Sequence, residues 1–260
     1  MFSFRCHGLD IAHKSGFSEC ADEDYSRHIH YYHELLYFVR GSVIYNIGAV
    51  KKKLESGDLL VICEGQSHFP EVVDDGENYE RYVVKFSDNA IPEYLKAKLR
   101  MVRPYYGKLA GGMRIFKKFD IYAETYSQED MYTLCMCDIV KMLVDICRSA
   151  ATENAGRPGL AERIMEYIDN NLNRSITSES IARQFNFSVS YVSDEFKKSV
   201  GIPIMQYVRY KKIITAHRLI SAGMKKLDVA EALGFENYTT FYRAYHRLMG
   251  VAPSMVDSNK

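Results

Sequence analysis

At 260 residues, with 47% hydrophobic and 26% charged content, the chain is long enough for two buried cores and has the composition of an ordinary soluble globular protein. It has no run of eighteen apolar residues and no basic-then-apolar start in MFSFRCHGLD, which excludes a transmembrane helix and a secretory signal and places the chain in the cytoplasm. The net charge of +1 divides into +5 over residues 157–260 and −4 over residues 1–156, a balance that points any nucleic-acid-binding part to the C-terminal half.

Residues 1 to about 87 read as strands. Apolar runs are separated by turn signals at RGS (40–42), NIG (46–48), ESGD (55–58), CEGQ (63–66) and DDGE (74–77), and ERYVVKFS (80–87) closes the set. Turns every eight to ten residues are the pattern of a β-sandwich or barrel. Within it lies HIHYYHELLYFVRG (28–41). On a strand, His28, His30, Tyr32 and Glu34 would share one face and His33 the other. The spacing His28-x-His30-x3-Glu34-x6-Gly41, echoed by Gly57-x7-Gly65-x2-His68, resembles the two motifs of the cupin superfamily, a jelly-roll barrel. Departures are Asp22 in place of an early glycine, Cys63 where proline is typical, and no asparagine at Val72. Where cupins hold a metal, the matching residues here are His28, His30, Glu34 and His68, and such a donor set suits a divalent ion such as zinc, iron, nickel or manganese. A second reading makes these groups hydrogen-bond partners of a small effector, with Tyr32, Phe38 and Tyr45 as an apolar face for a ligand such as a sugar, and a third leaves the histidines purely structural. Core packing is the alternative for each of those aromatics.

After Ile91-Pro92 the period changes. IPEYLKAKL and MRIFKKFDIYAETY look helical, broken by YYGKLAGG (105–112). Residues 127–150 carry Met131, Leu134, Cys135, Ile139, Met142, Leu143 and Ile146 at helical spacing. That stripe serves either as a core face or as a homodimer face, and the dimer is preferred. Cys135, Cys137 and Cys147 lie in this segment as packing residues. Without a CxxC pair, cysteine-bound structural metal is not expected. TENAGRPG (152–159) reads as a linker.

The last hundred residues repeat themselves. IARQFNFSVSYVSDEFKKSVGIP (181–203) matches VAEALGFENYTTFYRAYHRLMGVAP (229–253), pairing Ala182 with Ala230, Phe187 with Phe235, Phe196 with Tyr245 and Gly201 with Gly250. Each copy is a short helix, a tight turn, a longer helix and a glycine. Asn186 and Gly234 supply the turn, Ser188 and Asn237 cap the second helices, and Pro203 starts a connecting helix that ends at Gly223. Two helix-turn-helix units are the reading that satisfies both copies.

From Leu160 to Val256 this part resembles the DNA-binding domain of the AraC/XylS family of bacterial transcription regulators, most fully over GFENYTTFYRAYHRLMGVAPSMV. The resemblance implies two recognition helices entering the major groove about 34 Å apart. It places Ser190, Ser193 and Asp194 of the first helix and Tyr238, Thr239, Tyr242 and Arg243 of the second toward bases. Lys197, Lys198 and Arg247 fall near phosphates, and Val192, Phe196, Phe241 and Tyr245 point inward. Arg243 is the first choice for a bidentate guanine contact. Asp194 stands where a basic residue is common, and Lys212 where an arginine is usual.

The expected fold class is α+β with two domains. A cupin-like barrel spans 1–90, helices for dimerisation or packing span 91–151, the linker spans 152–159, and an all-α double helix-turn-helix domain spans 160–260. The function implied is a ligand-responsive, sequence-specific DNA-binding transcription regulator. Its partners are double-stranded promoter DNA, a small-molecule effector, a second copy of the chain and, by family resemblance, RNA polymerase. The resemblance favours no cofactor, a divalent metal being the alternative, and no catalytic role. A metal-dependent cupin enzyme with a helical appendage and an effector-independent dimeric regulator are the other readings.

Overall fold

The computed structural model of the protein describes residues 1–16, 28, 30, 32–48, 50–72, 78–99, 105–109, 111–153 and 159–256. It comprises two compact units, Met1–Arg157 and Pro158–Lys260.

The first unit is built on β1 (Phe2–Cys6), β2 (Leu9–Ser15), β3 (His33–Arg40), β4 (Val43–Ile47), β5 (Val50–Lys53), β6 (Asp58–Ile62), β7 (His68–Val72) and β8 (Glu80–Phe86). There follow helix α1 (Glu93–Leu99), strand β9 (Tyr105–Lys108), and helices α2 (Gly112–Thr125) and α3 (Gln128–Glu153). A six-stranded antiparallel sheet has the order β1-β2-β8-β3-β6-β9, and a three-stranded one the order β5-β4-β7. The two inner faces share a core of Leu36, Phe38, Val43, Tyr45, Ile47, Leu60, Ile62 and Val83. The outer face of the large sheet presents Leu35, Tyr37, Leu59, Val61, Tyr82 and Val84 to the helices. Covered on both faces, β3 and β6 read as unbroken apolar runs, and alternation shows only in which core each residue joins. Gly41 turns β3 into β4 at φ 120°, where an added Cβ would lie 3.0 Å from the Tyr79 backbone.

Several expectations are corrected here. YYGK, read as a break between helices, is β9 and pairs with β6, so the sheet reaches past the barrel limit of residue 90. An edge strand needs only one partner, and this short one carries a glycine that masks its alternation. The histidine segment is not one strand, since β3 begins at His33. The α3 stripe is spent inside the unit: Met131, Cys135, Ile139, Met142, Leu143 and Ile146 are all buried with Phe116 and Phe119 of α2. It therefore gives no argument for a dimer. Cys137 is exposed rather than packed, whereas Cys135 and Cys147 are buried. Helix α3 runs through Glu153, two residues into the expected linker; residues 154–158 of it, and the DDGE turn, lie outside the described residues.

The second unit contains α4 (Leu160–Asn170), α5 (Ser178–Phe185), α6 (Val189–Val200), α7 (Ile204–Ser221), α8 (Lys226–Ala232) and α9 (Tyr238–Met249). Thr177 and Ser180 form a capping box at α5, and Ser188 and Asn237 accept from the backbones of Tyr191 and Thr240 to cap α6 and α9. Asn186 at φ 59° and Gly234 at φ 64° make the two turns. Among the described residues, Lys212 does not form the ion pair that an arginine there suggests. Its Nζ donates to the Arg174 carbonyl at 3.2 Å, while neighbouring Lys211 meets Asp169 at 3.2 Å. Both lysines are thus buried ties rather than DNA-facing charges.

Candidate functional site

Two sets of side chains stand out, one in each unit. In the second unit, α6 and α9 each bury one stripe and leave the opposite one open. Val192, Phe196, Phe241 and Tyr245 are buried, which fixes the roll of each helix. Ser190, Asp194, Lys197 and Lys198 of α6 are consequently exposed, and Ser193 is half-buried beside them. Thr239, Tyr242, Arg243 and Arg247 are exposed on α9. Tyr238 is half-buried, its ring 5.6 Å from Phe241 and 6.4 Å from Tyr242. Asp194 Oδ2 accepts from Ser190 Oγ at 3.5 Å, a loose contact that leaves the carboxylate available to a cytosine amine. His217 of α7 faces Tyr245 of α9 at 2.6 Å and anchors the second recognition helix on the connecting one. Burial pushes the His217 pKa down from its ordinary value.

Phe187 and Tyr191 form an exposed aromatic pair, 4.9 Å apart, at the start of α6, which residue reading missed. The repeat contained the signal. Phe235, the partner of Phe187 in the second copy, packs on Phe241, so the first copy leaves bare an aromatic that the second one half-buries.

In the first unit, His28 pairs with His68 in an isolated antiparallel bridge, and His30 meets Gly65 beside it. His28 and His68 exchange backbone hydrogen bonds at 3.2 and 3.1 Å, and Gly65 N–H donates to the His30 carbonyl at 3.1 Å. That pairing brings three imidazoles together, with ring centroids 4.2 Å (His28–His68), 4.7 Å (His30–His68) and 5.8 Å (His28–His30) apart. His30 Nδ1 donates to the Tyr32 carbonyl at 2.8 Å, and His68 Nδ1 to the Gln66 carbonyl at 3.0 Å. A carbonyl can only accept, so both rings carry their proton on Nδ1 and turn Nε2 inward. Glu34 Oε2 lies 3.4 Å from His30 Nε2. Burial opposes ionisation of Glu34, but the surrounding groups, His30 first with His68 and Lys85 behind it, outweigh it and hold the carboxyl at about 2. Burial drives His68 down to about 3, His30 adding to the effect. Burial also lowers His30, against the pull of Glu34. The site is a buried carboxylate beside neutral imidazoles, a donor set that fits a divalent transition metal. His33 points to the other core, where its Nδ1 accepts from the Glu64 backbone at 3.3 Å.

Beside the cluster, a cavity of about 30 Å³ is lined by Lys14, His28, Glu34, Leu36, Tyr45, Pro70, Tyr79, Arg81, Val83 and Lys85. That is room for one or two waters, so a sugar enters only if side chains move. Of the expected effector residues, His28, Glu34 and Tyr45 line it and His30 and His68 adjoin it. Phe38 does not: it packs in the core, 6.1 Å from Tyr79. Tyr32 is not among the lining residues; it stacks on His30 at 3.9 Å, with Lys85 Nζ 5.3 Å over its ring. Lys14, Arg81 and Lys85 were missed. Arg81-x-Val83-x-Lys85 alternates on β8 against Tyr82, Val84 and Phe86, a period-two signal for basic groups turned inward.

A family described as AraC-like ligand binding domain matches residues 15–110, and one described as helix-turn-helix domain matches residues 181–258. The chain is 21% identical over 249 residues to the HTH-type transcriptional activator RhaR of Pectobacterium carotovorum, covering 87% of this chain and 84% of that one. It is 29% identical over 104 residues to the uncharacterized HTH-type transcriptional regulator YtdP of Bacillus subtilis, covering 40% of this chain; it spans only 14% of that relative's length. Among solved structures, ToxT from Vibrio cholerae matches at TM-score 0.42 and 15% identity, over 95% of this chain and 96% of that one. Neither the matching families nor these relatives are described as enzymes.

Proposed function

Because the chain belongs to the AraC family of transcriptional regulators, with a ligand-binding domain ahead of a helix-turn-helix domain, we propose that it reads promoter DNA through α6 and α9 and adjusts that reading to the state of its barrel. The observation that carries this is the pair of capped, oppositely buried recognition helices. Each leaves a strip of polar and cationic side chains open: Ser190, Asp194, Lys197 and Lys198 on one, Thr239, Tyr242, Arg243 and Arg247 on the other. A ligand acts through such a chain only by binding two states with different affinity. Arg243 is the base-reading residue of α9, its guanidinium gripping guanine O6 and N7. Arg243→Ala costs about 1–3 kcal/mol on the cognate site and relaxes preference at one base pair. Fluorescence anisotropy on cognate and scrambled duplexes measures both. Equal weakening on the two duplexes would move Arg243 to the phosphate backbone.

A further inference from the structure

We infer that the barrel binds one divalent transition-metal ion through His28, His30 and His68, with Glu34 as the anionic fourth donor. Several observations converge on this. One nitrogen from each of the three histidines lies within 4.8 Å of the others. Donors on one tetrahedral ion with metal–nitrogen bonds of about 2.0–2.1 Å sit about 3.4 Å apart, so the rings need close by no more than about 1.4 Å. The Glu34–His30 pair already stands at that separation, 3.4 Å.

The rings are also oriented for it. The carbonyls of Tyr32 and Gln66 hold the Nδ1 protons of His30 and His68, leaving Nε2 as the inward donor. A ligating histidine is fixed in this way by its other nitrogen. His68 Nε2 is buried and has no hydrogen-bond partner among the described residues, a cost that a metal bond removes. The backbone hydrogen bonds of His28 with His68 and of Gly65 with His30 fix the parts that a metal would otherwise have to gather. Finally, the adjoining cavity of about 30 Å³ admits the waters that complete a coordination shell as it stands, whereas a sugar-sized effector enters only if side chains move. Imidazole-rich donors with one carboxylate select zinc, nickel, iron or manganese over calcium or magnesium.

This deepens the reading of the barrel as the sensing part, and its test uses no DNA, so its failure leaves the DNA-binding assignment standing. Full-length protein, freed of any affinity tag and stripped with chelator, is titrated with zinc chloride by calorimetry and with cobalt(II) by visible absorption, and thermal unfolding is followed with and without zinc. The expected result is one equivalent bound, a tetrahedral or five-coordinate cobalt spectrum, and a raised melting temperature. His28→Gln and the near-isosteric Glu34→Gln should each weaken binding about tenfold or more. His28 is only half-buried, so its variant decides the matter even where a His68 variant fails to fold. Absence of stoichiometric binding by zinc, nickel, iron(II) and manganese, or binding that both variants retain at full strength, overturns the inference.

Discussion

His217 shows how one side chain couples the reading helix to solution conditions. It sits on α7 with Nδ1 2.6 Å from Tyr245 of α9, and burial lowers its pKa below the ordinary 6.5. The unfolded chain therefore takes up a proton near pH 6.5 while the folded one does not. Stability is complete above that pH and falls as pH drops from about 6.5 toward the depressed folded value. His217→Gln should flatten the pH dependence of thermal unfolding between pH 7 and 5; an identical slope in wild type and variant assigns the dependence elsewhere. At this scale the sequence reveals a residue's chemistry but not its neighbours. His28, His30, Glu34 and His68 were readable because motif spacing ties them. Lys14, Arg81 and Lys85 were not, because only the pairing of β2 with β8 and of β8 with β3 brings them beside Glu34. Phe38 was misassigned for the converse reason: an inward aromatic lines a cavity only where the opposite sheet leaves one, and here Tyr79 and the β4 residues fill the space.

At the scale of elements, caps and turns were the most readable features because their physics is local. Ser188, Asn237, Gly201 and Gly250 act within a few residues of themselves. The two helix-turn-helix units make the same left-handed turn with different residues, which gives opposite expectations. Gly234 at φ 64° would carry its Cβ 3.5 Å from Lys212 Nζ and 3.7 Å from the Arg174 backbone, so space exists and the penalty is conformational. Gly234→Ala should cost about 1–2 kcal/mol. Asn186→Gly, at φ 59°, relieves the same strain and should be neutral or stabilising by up to about 1 kcal/mol. Denaturant melts of the two variants check the contrast, and a shared sign would show that the turns are not equivalent. Elements that depend on distant partners were harder to read. Strand β9 is visible only through its ladder to β6, and the apolar stripe of α3 announces burial without saying against what. The core of its own unit, not a second chain, turned out to be the partner.

Over the whole molecule, the division of charge predicts how DNA binding responds to salt. The surplus of the C-terminal half is not uniformly available, since Lys211 and Lys212 are buried in structural contacts. On the two recognition helices, Lys197, Lys198 and Arg247 remain exposed for phosphate once Arg243 is given to a base. Each neutralised phosphate contributes about −0.9 to the slope of log K against log salt, so three contacts give about −2.7 for one chain. Two chains on one site double it to about −5.4. Replacing Lys197 and Lys198 with glutamine should shrink the slope by about 1.8 per bound chain and weaken cognate and random duplex alike. A slope unchanged by the double substitution would remove both lysines from the interface and shift the contact surface toward the exposed aromatic pair, Phe187 and Tyr191, where stacking or thymine-methyl contacts carry little salt dependence. The measurement reads stoichiometry as well, because the size of the change counts the recognition surfaces engaged. It thereby settles through charge the dimer question that the buried α3 stripe leaves without an argument.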